Sequence, residues 1–124
     1  MFDHISIGVR DIPRSKRFYD AALKPLGYEC KFSDAVTLGY GNADGIGLWV
    51  GASDHPVPPH DKSNLHFCFA APTRNSVDRF HAAAMKEGGR DNGAPGPRDY
   101  SPNYYAAFVV DPDGYRLEVH CEKA

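Results

Sequence analysis

Apolar and polar positions alternate from the start of the chain. In FDHISIGVR, residues 2–10, Ile5, Ile7 and Val9 fall on one side and His4, Ser6 and Gly8 on the other, the period-two signature of a strand with one apolar face. The period then changes. Asp11 with Pro13 two residues on is a helix start. Behind it Ile12, Ser15, Phe18, Tyr19, Ala22, Leu23 and Leu26 recur at three-and-four spacing, the stripe of a helix buried on one side. Gly27 closes it. YECKF, AVTLGYG and IGLWVG follow as short strand-like runs, the last two separated by NADG, a hairpin turn.

A polar, proline-rich stretch, ASDHPVPPHDKS, carries no periodicity and reads as a linker. Beyond it the first pattern returns. NLHFCFAA alternates, with Leu65, Phe67 and Phe69 on the expected core side and His66 and Cys68 on the other, and Thr73 caps a helix running to Gly88 and Gly89. Laying His66 over His4 without gaps also superimposes Arg79 on Arg17, Phe80 on Phe18, Ala83 on Ala21, Ala84 on Ala22, Lys86 on Lys24 and Gly89 on Gly27. NGAPGPRDYSPN then reads as a glycine/proline loop, YYAAFVV as a strand, DPDG as a turn and YRLEVHC as the last strand. This duplicated plan predicts one α+β domain of two βαβββ modules: residues 1–52, a linker over 53–63, and residues 64–124. Each helix covers the apolar face of its sheet, and the opposite faces form a concave surface.

Parity assigns chemistry to that surface. Residues two apart on a strand share a face. With Ile5, Ile7, Phe67, Phe69, Leu117 and Val119 toward the helices, His4, His66 and Glu118 project to the other side. Two imidazoles and a carboxylate suit Zn, Fe, Ni or Mn and leave positions open for water or substrate. Any one of the three taken alone is usually only solvated surface; it is the three at corresponding places in a duplicated plan that point to a site. His120 shares the face of Glu118, as a substitute ligand, an acid/base group or a solvated strand end. The loop RDYSPNYY brings Arg98, Tyr100, Tyr104 and Tyr105 as a candidate anion clamp and hydroxyl donors over a pocket, and Trp49 is a candidate wall. His55, His60 and His81 are assigned no chemistry, and no catalytic base stands out.

Composition narrows the classes. The chain has 124 residues and a net charge of −2, with no basic excess for nucleic acid and no apolar run for a membrane span. Met1 leads directly into the first strand without a charged-then-apolar leader, so a cytoplasmic protein is expected. Cys30, Cys68 and Cys121 are odd in number and widely spaced, which argues against a disulfide framework or a zinc finger and for buried thiols.

The segments DHISIGVRDIPRSKRFYDAALKPLGYE, NLHFCFAA with its helix, and FVVDPDGYRLEVH resemble the vicinal oxygen chelate superfamily, the glyoxalase, bleomycin-resistance and extradiol-dioxygenase group. The resemblance implies paired βαβββ modules closing a cupped mixed sheet, helices outside, around a divalent metal that chelates vicinal oxygens of a small substrate. It implies His4, His66 and Glu118 as ligands and a homodimer, since many single-copy members complete their cups across a two-fold axis. The further glutamate of glyoxalase I enzymes falls here on Gly47 or Trp49, neither of which coordinates, so a strict glyoxalase I reaction is not expected. Two functions follow from the resemblance: a metal-dependent lyase, dioxygenase or transferase, or a metal-free binding protein of the bleomycin-resistance type.

Overall fold

In a computed structural model describing residues 1–124, the duplicated pattern becomes two matched halves. Module one runs β1 (Ile5–Val9), α1 (Ile12–Leu23), a 3-10 turn (Lys24–Leu26), β2 (Glu29–Ser33), β3 (Thr37–Asn42) and β4 (Gly45–Ala52). Module two runs β5 (Phe67–Ala70), α2 (Arg74–Lys86), β6 (Arg90–Pro97), β7 (Tyr105–Val110) and β8 (Arg116–Cys121). The Asp11 side chain accepts from the Arg14 N–H to open α1, and Gly27, at φ 87°, closes the turn behind it. Thr73 and Ser76 form a reciprocal capping box at the start of α2.

Each module is one mixed four-stranded sheet, ordered β1-β4-β3-β2 and β5-β8-β7-β6, with β1 parallel to β4 and β5 parallel to β8. The two helices pack on one another and each on the sheet of its own module. Phe18 and Phe80, and Ala22 and Ala84, superimposed by the sequence repeat, are all fully buried. The core-facing parity holds for Ile7, Val9, Leu117 and Val119, all buried. No helix is long and apolar enough to cross a membrane.

The β7–β8 turn ties the halves together. Buried Asp111 accepts the Tyr19 hydroxyl of α1 and the backbone N–H groups of Asp113 and Tyr115, while Asp113 receives the Arg10 N–H and the Arg14 guanidinium. Burial, first of all, raises the Asp111 carboxyl above its usual range.

Three expectations need correction. The first half of the segment read as a glycine/proline loop, residues 92–97, is strand β6. It lies at the sheet edge, where Pro95 and Pro97 need not donate to a further strand, and two register shifts against β7 absorb its glycines. Such a strand shows neither alternation nor β-branched residues. Leu65 is 55% exposed rather than core-facing, because β5 begins only at Phe67. Of the three cysteines, all free, only Cys121 is buried.

Candidate metal centre

Strand pairing brings two of the expected ligands together. His66 immediately precedes β5, and Glu118 lies in the neighbouring β8 beside Cys68, its register partner. The His66 Nε2 stands 2.9 Å from Glu118 Oε1, and the Tyr104 hydroxyl donates to Glu118 Oε2 at 2.5 Å. Glu118 is only 4% exposed and has no lysine or arginine partner. Burial, and then Glu118, raises the Tyr104 phenol above its ordinary value, so this hydroxyl is a donor and not a base. Local desolvation of its sulfur, and then Glu118, push the thiol of Cys68, an otherwise exposed residue, up to about 12.

The other ring nitrogen of His66 fixes its tautomer. Nδ1 stands 3.0 Å from the Asn64 carbonyl, which Asn64 presents from a left-handed backbone at φ 65°. A carbonyl only accepts, so Nδ1 carries the hydrogen, and in a neutral imidazole Nε2 is then a lone pair. That lone pair faces a carboxylate oxygen, also an acceptor. A proton or a cation between them reconciles the pair. The 2.9 Å spacing fits a hydrogen bond from a protonated imidazole, and it also fits two ligands each about 2.1 Å from a metal at right angles, which are about 3.0 Å apart. Imidazole and carboxylate are donors that divalent metals accept, and a backbone carbonyl behind the imidazole orients it as such ligands are commonly oriented.

The pair sits in a cavity of about 520 Å³ whose walls include Leu65, Tyr100, Tyr104 and Phe108. Asn64, Asn92 and Leu117 also line it, with Arg116 and Asp61, which form an ion pair at 2.8 Å. Asn92 lay hidden in the segment read as a loop and Asp61 in the aperiodic linker, while Asn64 stood at the start of the run NLHFCFAA. Phe108 and Arg116 carried a usable signal, since each is placed on the Glu118 face by strand parity.

The remaining expected residues lie elsewhere. His4 precedes β1, its side chain is 46% exposed, and its Nδ1 contacts Asp3, which lines a different cleft between the modules. No group of three or more His, Cys, Asp or Glu side chains converges within the chain. The Arg98 guanidinium donates to the carbonyls of Ala94, Gly96 and Pro97, stacks over Phe108, and is no free anion clamp. Tyr105 donates to Asp78 under the Arg74 guanidinium, away from the cavity. His120 stacks on the Tyr104 ring at 4.0 Å and 20°, with Nε2 toward Glu122. Trp49 packs edge-on against Phe32 and lines neither cleft.

The register decides which residue of module one answers to Glu118. Ile5 pairs with Leu48 as Phe67 pairs with Leu117, so Trp49 corresponds to Glu118 and Gly47 to Arg116. A carboxylate at this place in module two is matched by an indole in module one.

Known proteins share this architecture. A glyoxalase/bleomycin resistance protein from Albidiferax ferrireducens T118 is 31% identical over 97% of this chain and 98% of its own, with a TM-score of 0.84. The fosfomycin resistance protein FosX from Mesorhizobium loti is 17% identical over 99% of this chain and 92% of its own, TM-score 0.71. A glyoxalase/bleomycin resistance protein/dioxygenase family enzyme from Burkholderia phytofirmans PsJN, 17% identical over 97% of both chains, has a TM-score of 0.71. The last two likenesses are of fold alone. No curated protein matches the sequence. The profile of one family matches residues 1–119, and with two βαβββ modules and a relative sharing 31% of its residues, this chain belongs to the Glyoxalase/Bleomycin resistance protein/Dioxygenase superfamily.

Proposed function

We propose that the protein is a divalent-metal-dependent enzyme acting on a small oxygenated substrate, with His66 and Glu118 as ligands from one copy of the chain and His4 as a ligand from a second. The observation that carries this reading is the approach of His66 Nε2 to the buried Glu118 Oε1 at 2.9 Å, with Asn64 behind the imidazole at Nδ1. A buried carboxylate without an arginine or lysine is costly unless a cation reaches it. Fe, Mn, Ni or Zn held there supplies a Lewis acid for adjacent oxygens of the substrate.

The chain's own residues supply the rest. Leu65, Tyr100 and Phe108 form an apolar wall of the cavity, and Tyr104 keeps one Glu118 oxygen occupied so that the other faces His66. Arg116, neutralised by Asp61, offers a paired rather than a free positive charge beside the cavity. A homodimer in which module one of one copy covers module two of the other fits the exposed Phe2, Phe32, Val36 and Leu65 and the separate location of His4. The three free thiols fit a reducing cytoplasmic setting.

Trp49 favours a second reading. An indole where the other module carries Glu118 suits a metal-free binding protein whose cup holds a ligand by stacking. Metal content of tag-free protein, after incubation with each of the four metals, separates the two. Bound metal in the wild type, lost in His66→Ala and in Glu118→Ala, supports the enzyme. Metal absent from all three overturns it in favour of the binder.

A further inference from the structure

We infer that Tyr104 is a positioning residue whose hydroxyl fixes the orientation of the Glu118 carboxylate and so sets how tightly the proposed centre holds its metal. This rests on the reading of His66 and Glu118 as ligands. A carboxylate on a strand has free rotation about its last bond and can offer either oxygen, or both, to a neighbour. Here Oε2 is taken by the Tyr104 O–H at 2.5 Å, which leaves Oε1 to face His66 Nε2.

The phenol is itself held on both sides. Its ring lies parallel to the His120 imidazole, 4.0 Å between centroids, and meets Tyr100 edge-on at 5.0 Å and 73°. Tyr104 stands just before β7, whose Ala106 is the register partner of His120 on β8. The stack therefore joins a residue of β8 to the residue that leads directly into its partner strand β7. The structure gives His120 work other than coordination: it holds the ring that orients the glutamate two residues earlier. A hydroxyl on a ligand carboxylate both orders it and tunes its basicity, and removal of such partners weakens metal binding about 10–100-fold.

The neighbouring Tyr105 is a matched control. Its hydroxyl also donates to a carboxylate, Asp78 at 2.6 Å, but outside the cavity. Metal-free full-length protein is titrated with Zn(II) by calorimetry and with Mn(II) by electron paramagnetic resonance, in the wild type, Tyr104→Phe and Tyr105→Phe, each with its thermal midpoint. The expected result is a loss of affinity of about 10–100-fold in Tyr104→Phe alone. Tyr105→Phe stays within about twofold of the wild type. Tyr104→Phe binding as tightly as the wild type, or both variants weakening equally, overturns the positioning role and leaves the ligand assignment standing. A wild type that binds neither metal overturns the ligand assignment and the positioning role together. Phenylalanine keeps the ring stack, so an unchanged thermal midpoint beside weakened binding traces the loss to the hydroxyl. As a second variant, His120→Ala removes the stack without touching the hydroxyl and is expected to weaken binding less than Tyr104→Phe; a larger loss would make the stack, and not the hydroxyl, the chief support of the glutamate, and overturns the proposal.

Discussion

The two modules share a scaffold and differ in what they put on it. Both have a helix fixed by one fully buried phenylalanine, Phe18 or Phe80, and a buried alanine one turn on, Ala22 or Ala84. On the opposite faces the large and small residues change places. In module one Gly39 lies beside Trp49, and a Cβ on Gly39 would come within 2.8 Å of the indole ring. In module two the corresponding pair is Phe108 and Glu118, with the bulk on the neighbouring strand and the short acidic side chain free to meet His66. Packing thus preserves the duplication where helix meets sheet, and chemistry breaks it where the sheet meets the cavity. A strand permits this because its two faces are constrained by different neighbours.

If the scaffolds are equivalent, equal damage should cost them equally. Phe18→Ala and Phe80→Ala are each expected to destabilise by about 3–5 kcal/mol, read by chemical denaturation. A difference of several kcal/mol between them would mean that one module carries the fold.

Next in size is the tie between modules. Asp111→Ala leaves the Tyr19 hydroxyl and two backbone N–H groups without their acceptor, at a cost of about 3 kcal/mol. Asp111→Asn keeps the two backbone bonds and costs less. Its sign with pH is set by burial, which raises the folded carboxyl above the unfolded one. Stability from this group is therefore present at acid pH and lost as pH rises through the raised value, so Asp111→Asn gains on the wild type over that range. A difference independent of pH would contradict the assignment.

The smallest effect reports on the cavity alone. Cys68, the register partner of Glu118, is exposed as a residue, but local desolvation of its sulfur and then that carboxylate push the thiol up to about 12. Glu118→Gln is expected to speed its alkylation at pH 8 several-fold, since each unit is about tenfold in thiolate. The module-one counterpart, Ser6 beside Trp49, has no such reporter. Unchanged reactivity in Glu118→Gln would place the thiol outside the reach of the glutamate.

Much of this was legible in the sequence because burial repeats. The Phe18 and Phe80 stripes, the Asp11 and Thr73 caps and the face of Glu118 all follow from period and parity. Strand β6 was not, since an edge strand with glycines and prolines satisfies its backbone through one neighbour and bulges, without a side-chain pattern. Arg98 and Tyr105 were misplaced for a different reason. A side chain's type says that it can bind an anion or donate a hydroxyl, but its partner, here three carbonyls or Asp78, depends on how the loop closes. Tyr104 was legible as a pocket residue, whereas its bond to Glu118 required the β7–β8 register.

The claim that two copies share the centre is tested most directly by complementation. His4→Ala and Glu118→Ala chains are co-expressed with different tags, the mixed dimer is isolated, the tags are removed, and its metal is counted. A shared centre predicts about one metal per mixed dimer, because one site then combines intact His4 with intact His66 and Glu118, while either variant alone binds little. A mixed dimer as empty as its parents would contradict the account and return the missing ligand to the same chain.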